Sequence, residues 1–472
     1  MSEMNPMSSE KPMPRLWLAL IPVAALIFFL YFSIRVYDIS PHLALVAALA
    51  VAAAIGLRLG LRWGELEEGL IKGIRLAMPA ILILMAIGVL IGTWIASGVV
   101  PLMIYYGLKL LSPEIFLPAT CVVCALVSLV TGSSWSTAGT VGVALIGVAE
   151  GLSVPLPMAA GAIVSGAYFG DKMSPFSDTT NLAPAVAGSE LFEHIRHMLW
   201  TTLPAFIIAL VLYSFIGLGA VSSQGEGLGV AEMFSVLEAS FDLNGWLLLP
   251  PLVVVGLISF RVPALPAIAA GALMGIVVGV SIQGVGMKEM LVAAQEGHTS
   301  STGNARVDEL LSRGGLESMF WTVSLIFCSM GFGGVMERTR MLEAIANAIL
   351  SVAKGAGQLT LGVVATCIGM NVIAPDQYLS IIIPGRMYKS AYDKAGLHPK
   401  NLSRSLEDSG TMVSPLVPWN TCGVFMMGAL TVNPFAYLPY AFVNLLTPVL
   451  SVLLAFMGWT MVRASGASVS RK

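Results

Sequence analysis

The run Gly170–Asp171–Lys172–Met173–Ser174–Pro175–Phe176–Ser177–Asp178–Thr179–Thr180–Asn181 sets two acids and a lysine between the apolar stretches Leu152–Tyr168 and Leu182–Val186. Pro175 removes a backbone donor and breaks the turn, so Asp171 and Asp178 cannot share one regular helix face. A charge at the centre of a bilayer costs at least about 2.5–3.5 kcal/mol and persists only if paired, solvated in a cavity or protonated. The break frees backbone carbonyls, and Ser174, Ser177, Thr179, Thr180 and Asn181 add hydroxyl and amide oxygens. A carboxylate among neutral oxygens suits a small hard cation such as Na⁺, and half-helix C-terminal ends favour one further. The competing reading is a cytosolic loop with solvated aspartates. Against it, Lys172 is the only Lys or Arg between Lys109 and Arg196.

The whole chain is built like that neighbourhood. Of 472 residues 56% are hydrophobic and only 11% charged, with a mean hydropathy of +0.84. A soluble domain carries about 25% charged residues, so this chain cannot cover a water-facing surface, and it is too apolar to be disordered. A soluble enzyme is excluded. A net charge of -2 leaves no basic footprint for a nucleic acid. The chain reads as an all-α polytopic membrane protein whose surface partner is lipid. The five cysteines lie in or beside apolar segments, and Cys121 and Cys124 read as a packed helix face rather than a zinc or redox pair.

A span needs about 20 apolar residues. Full-length candidates are Leu16–Ser33, Leu43–Leu59, Leu76–Ser97, Ile115–Thr131, Thr201–Val221, Trp246–Phe260, Pro263–Ser281, Ser318–Met336 and Pro439–Met461. Stretches rich in Gly, Pro, Ser and Thr fill Val99–Leu111, Ser136–Asn181, Leu342–Val352, Leu359–Pro384 and Glu407–Leu430; irregular backbone survives at such depth only where protein or a polar cavity satisfies it. The N-terminal Leu16–Ser33 is expected as a retained helix rather than a signal peptide. Arg58, Arg62, Lys72 and Arg75, the five basic residues of Arg386–Arg404, and Arg463, Arg471 and Lys472 mark cytoplasmic sides. Between His197 and Phe260 there is no Lys or Arg, while Glu226, Glu232, Glu238 and Asp242 mark an external loop. About fourteen crossings, some of them broken helices or re-entrant hairpins, with both ends cytoplasmic, satisfy this pattern.

An offset of about 240 lays one half over the other. It pairs Ser174–Pro175 with Ser414–Pro415, and Thr131–Ser136 with Asn371–Asp376. Equivalent loops differ in charge: Gly147–Pro157 has no Lys or Arg, whereas Arg386–Arg404 has five. That predicts two inverted repeats, with corresponding breaks marking a transport site. The expected organisation is a cytoplasmic tail at 1–15, a first repeat at 16–221, an external loop at 222–243, a second repeat at 244–461 with a polar external linker at about 283–316, and a cytoplasmic tail at 462–472.

Asp178 is the first candidate for a shared ion site and Asp171 the second. A carboxylate that takes Na⁺ when ionised can also take a proton, and competition between the two gives exchange without further machinery. Ser133, Ser134 and Trp135 with Ser136 form another polar break and supply candidate cation or substrate ligands. In the second half Asp376 follows Asn371 and Pro375. Glu407 and Asp408 either complete the cavity or serve a second coupled ion, or else cap a helix that faces the cytosol. His194 and His197 read as interfacial, and His298–Arg306 as an exposed linker.

The blocks Gly132–Gly142, Gly161–Pro175, Ser177–Ala183 and Ser414–Asn420 closely resemble the NhaC family of Na⁺/H⁺ antiporters, over nearly the whole chain from about Ile71 to Met461. The resemblance implies a multi-pass secondary transporter of the bacterial inner membrane, with an inverted-repeat core, broken helices meeting near the midplane and often a homodimer with an elevator-like transport domain. It implies no catalysis and no bound cofactor, with Na⁺ and H⁺ as cargo. It places Asp171, Ser174, Asp178, Thr179 and Asn181 in the signature break. The expected site joins Asp178, Thr179 and Ser133 around Na⁺, with Asp171 or Asp178 taking the proton and Asp376 lining the opposing face. Ser134, Ser174, Ser177, Asn181, Asp408 and Ser414 are further candidate ligands. Because the family also exchanges organic anions, the second reading is coupled exchange of a small carboxylate or amino acid, held near Trp135, Trp419, Asn371 and Asn420 at half-helix N-termini. No Walker motif supports an ATP-driven pump.

Overall fold

The computed structural model describes residues 13–221, 228–353 and 355–464. Glu226, Arg471 and Lys472, on which the orientation partly rests, lie outside them. The chain runs α1 (Leu16–Tyr31), α2 (His42–Arg58), α3 (Trp63–Ala96), α4 (Val99–Leu110), α5 (Pro113–Thr131), α6 (Ser134–Thr137), α7 (Val143–Gly151), α8 (Leu156–Met173), α9 (Asp178–Ala187) and α10 (Leu191–Val221). It continues with α11 (Leu228–Ser240), α12 (Leu249–Ser259), α13 (Ala264–Ser281), α14 (Met287–Gln295), α15 (Ala305–Leu311) and α16 (Phe320–Arg338). The remainder is α17 (Met341–Ser351), α18 (Ala356–Ile373), α19 (Gln377–Lys394), α20 (Pro399–Leu406), α21 (Thr421–Leu430), α22 (Pro434–Tyr437) and α23 (Phe442–Met457). Among the described residues the only β pairing is an isolated bridge between Leu397 and Arg463.

Among the described residues seven helices are long and apolar enough to cross a membrane, or nine if two pairs bent by 94° and 89° each count as one span. The expectation of about fourteen crossings counts broken and short segments as well, among them α2, α4, α17 and α23. The surface is inverted relative to a water-soluble protein. Leu126 and Val130 on α5 and Ile207, Val211, Phe215 and Leu218 on α10 point outward, whereas Ser, Thr, Asn, Asp, Glu, Lys and Arg side chains are buried. This is how a chain solvated by lipid must be arranged. The segment read as a polar linker is less open than expected. It holds α14 and α15, buries Ala293, Leu310 and Leu311, and folds onto α3, where Gly315 N donates to the Gly88 carbonyl at 2.7 Å.

Two contacts fix the first break. Gly132 ends α5 at φ +68, a left-handed conformation that spares a Cβ from meeting Phe176 at 2.7 Å. On α8, a Cβ at Gly170 would come 2.3 Å from the Ala125 carbonyl oxygen, so α5 and α8 can touch backbone to backbone. Ser128 Oγ bridges the same pair, donating to Ala167 O at 2.6 Å.

Element boundaries recur along the chain. The starts of α4, α5, α6, α8, α9 and α10 precede those of α17, α18, α19, α20, α21 and α22 by 242 or 243 residues. This register is about three residues longer than the offset set by the two Ser–Pro pairs. It makes Ser133 and Asp376 counterparts, and likewise Ser177 and Asn420; each of the four is a helix N-cap whose side chain accepts from a backbone N–H of the following turn.

Candidate functional site

Asp171 lies in the last turn of α8 and is 7% exposed. Its Oδ2 accepts from the Ser134 amide at 3.1 Å and from Ser134 Oγ at 2.6 Å. Ser134 opens α6, and Ser133 caps it by accepting from Ser136 N at 3.1 Å. A carboxylate brought in from a neighbouring helix therefore meets a helix N-terminus, where backbone N–H groups and the local dipole favour negative charge. Next to it, Trp135 stacks on Phe425 of α21 with ring centroids 4.2 Å apart.

Asp178 is placed differently from its neighbour. It opens α9 and is exposed, as is Asn181, whose amide donates to Pro175 O at 2.9 Å and Ser177 O at 2.7 Å. Thr179 turns inward and donates to Glu407 Oε1 at 2.8 Å. The three expected Na⁺ ligands thus address separate partners: Ser133 its own helix, Thr179 the second half of the chain, Asp178 the surface. Ser174 is buried and its Oγ accepts from Phe176 N at 3.3 Å. Ser177 caps α9, with its hydroxyl 3.2 Å from that of Thr179.

A second polar cluster joins the two halves of the chain. Lys172 Nζ pairs with Asp408 Oδ1, and both side chains are fully buried. Thr201 Oγ1 of α10 donates to the same oxygen at 2.9 Å, and Arg404 Nε lies 3.6 Å from Asp408 Oδ2. Arg404, itself fully buried, reaches His197 Nε2 at 3.1 Å and Thr460 O at 3.3 Å. A guanidinium only donates, so His197 accepts through Nε2 and carries its proton on Nδ1. Glu407 is fully buried too and starts a π-helical turn, Glu407–Thr411. The full burial of Glu407 and Asp408 selects the cavity reading over the cytosolic cap. One reading is corrected: His194 and His197 are not interfacial but buried between α10 and α20.

Around the second break, Asp376 is 4% exposed and caps α19 by accepting from Leu379 N at 3.0 Å. Asn420 Nδ2 donates to Asn371 O and Oδ1 at 3.1 and 3.0 Å, while Asn371 Nδ2 donates to Gly410 O at 2.9 Å. Ser414 Oγ meets Gln377 Oε1 at 3.2 Å, and Cys422 Sγ meets the same oxygen at 2.6 Å. Trp419 Nε1 donates to Val372 O at 2.8 Å, so this indole is tied to the backbone.

Sequence reasoning left Glu407 between the cavity and a cytosolic cap, and missed Arg404, Thr201 and Gln377. Only for Arg404 and Asp408 was there a usable signal, their i,i+4 spacing. Among the described residues no group of three or more His, Cys, Asp or Glu could hold a metal ion by itself.

These features define a polytopic α-helical membrane protein with charged side chains buried between paired helix breaks. The Na⁺/H⁺ antiporter family matches residues 166–459, a span that holds Asp171, Lys172, Glu407 and Asp408. A Na⁺/H⁺ antiporter NhaC of Alkalihalophilus pseudofirmus is 39% identical over 90% of this chain and 92% of its own. An arginine/ornithine antiporter ArcD of Halobacterium salinarum is 38% identical over 98% and 96%. A malate-2H⁺/Na⁺-lactate antiporter of Bacillus subtilis is 37% identical over 84% of each chain. The chain belongs to the NhaC-type Na⁺/H⁺ antiporter family.

Proposed function

We propose that this chain exchanges Na⁺ for H⁺ by alternating access, with Asp171 and the Ser133–Ser134–Trp135 turn as the exchange site. The observation that carries the reading is the buried Asp171 carboxylate fastened to the start of α6 from another helix. The N-terminus stabilises the ionised form, and the single negative charge then attracts either a proton or a small hard cation, not both. Ser133, Ser134, Ser174 and Ser177 supply neutral oxygens near the break. Asp376 lines the opposing face, held as the cap of α19. Asp178 and Asn181, exposed at the start of α9, serve as an entry point for the cation rather than its buried ligands.

In this reading the chain crosses the membrane about fourteen times in two halves of opposite topology, with both ends cytoplasmic, as a homodimer in a bacterial plasma membrane. The second reading, exchange of a small carboxylate or amino acid coupled to these ions, draws on the ArcD and malate/lactate relatives. The Trp135–Phe425 stack and the Asn371–Asn420 pair would then face the organic group.

The test is reconstitution in liposomes with an internal pH dye. Na⁺ added alone outside is expected to move protons with no organic solute present. A dye response that waits for a carboxylate or an amino acid would establish the second reading instead.

A further inference from the structure

Among the described residues Glu407 has no ion-pair partner of its own. Lys172 is paired with Asp408. Arg404 is shared between Asp408, His197 and the Thr460 carbonyl. One oxygen of the Glu407 carboxylate accepts from Thr179 at 2.8 Å; the other, Oε2, is buried without a hydrogen-bond partner. Thr411, at the far end of the same π-helical turn, turns its buried hydroxyl to this carboxylate and to no other group. A buried carboxylate with only neutral hydroxyls for donors and no ion pair is costly, and a π-turn inside a helix often accompanies a functional site.

We propose that Glu407 Oε2, with the hydroxyls of Thr179 and Thr411, forms a second cation site, for a small hard monovalent ion of the Na⁺ class. The donor set is all oxygen, which suits a hard cation. Lys172 lies within electrostatic reach of Glu407 and disfavours a doubly charged ion. The pairing Thr179–Glu407 spans the two halves of the chain, so a cation held there draws α9 and the Glu407–Thr411 turn together. The proposal takes its ion class from the exchange reading, but it adds a second position beside the Asp171 turn, reached from it through the Ser177 and Thr179 hydroxyls.

Equilibrium binding of radioactive Na⁺ to the full-length protein in lipid nanodiscs tests it, without a proton gradient. The wild type is expected to bind two Na⁺ per chain, and Glu407→Gln and Asp171→Asn one each. Thr411→Val, which removes only a hydroxyl, should weaken the Glu407 component by about 3- to 10-fold; it decides the matter if Glu407→Gln does not fold. One Na⁺ in the wild type, kept in Glu407→Gln and lost in Asp171→Asn, would overturn this site and leave the exchange reading standing. No Na⁺ bound by the wild type would overturn both.

Discussion

At the first break Ser133 caps α6, and the carboxylate that meets its N-terminus, Asp171, arrives from α8. At the second break the cap of α19 is itself a carboxylate, Asp376, and the counterpart of Asp171 in the register of element boundaries is a neutral Ser414. The contact is preserved while the charge moves: Ser134 bonds Asp171, and their counterparts Gln377 and Ser414 bond each other at 3.2 Å. An acid used as a cap is committed to its own backbone, and its loss is a local matter. An acid carried on a crossing helix ties two elements together by a bond that a cation can replace. In the proposed reading, ion exchange belongs to the first break and rigidity to the second.

The largest expected effect tests the charges that bind the two halves. Lys172→Met strands Asp408 with only Arg404 and Thr201, and should destabilise the protein by about 3–5 kcal/mol. Thermal unfolding in detergent reads this out, and adding Asp408→Leu should restore part of the loss. A single variant that melts like the wild type would mean that this pair does not hold the halves together. Gly170→Ala comes next. Its Cβ would press on the Ala125 carbonyl at 2.3 Å, at a cost of about 1–3 kcal/mol. Because Asp171 is the next residue, exchange should fall further than stability does; the reverse order would weaken the link between α5–α8 packing and the site.

A smaller effect is expected at the second break. Asp376→Ala removes a cap worth about 1 kcal/mol, and Asp376→Ser should recover it. The smallest lies outside the spans, at Asp308. The Thr302 amide, together with the hydroxyls of Thr302 and Ser300, holds this carboxyl below its ordinary value. A carboxyl lowered in the folded state adds stability above its unfolded value and loses it as the pH falls through the folded one. Asp308→Asn should therefore speed amide exchange in 300–304 at neutral pH but not under strong acid, with the melting point of the whole chain unchanged.

Much of the frame could be read from the chain alone. The apolar runs became helices, and the polar runs at Thr131–Ser136 and Gly170–Asn181 became breaks, because sequence pattern and bilayer length constrain both strongly. The register between the halves was misread by three residues, because two Ser–Pro pairs coincide at 240 while the helix caps repeat at 243. Arg404 was counted as a loop charge marking the cytosol, yet it is buried and paired. Counting basic residues cannot separate a solvated cation from one held by an acid in another helix, and the same limit left Glu407 undecided between a cavity and a cytosolic cap. Nor does sequence order give side-chain direction: Asp178 and Thr179 are adjacent, but one faces outward and the other reaches Glu407.

The most direct test of the asymmetry compares Asp171→Asn with Asp376→Asn in liposomes, by the initial rate of Na⁺-driven proton movement at equal amounts of protein. Asn keeps a helix cap, so Asp376→Asn should stay within about threefold of the wild type. Asp171→Asn removes the exchangeable charge and should lose about 100-fold or more. A silent Asp376→Asn beside an active Asp171→Asn would contradict the account and move the exchange site to the second break.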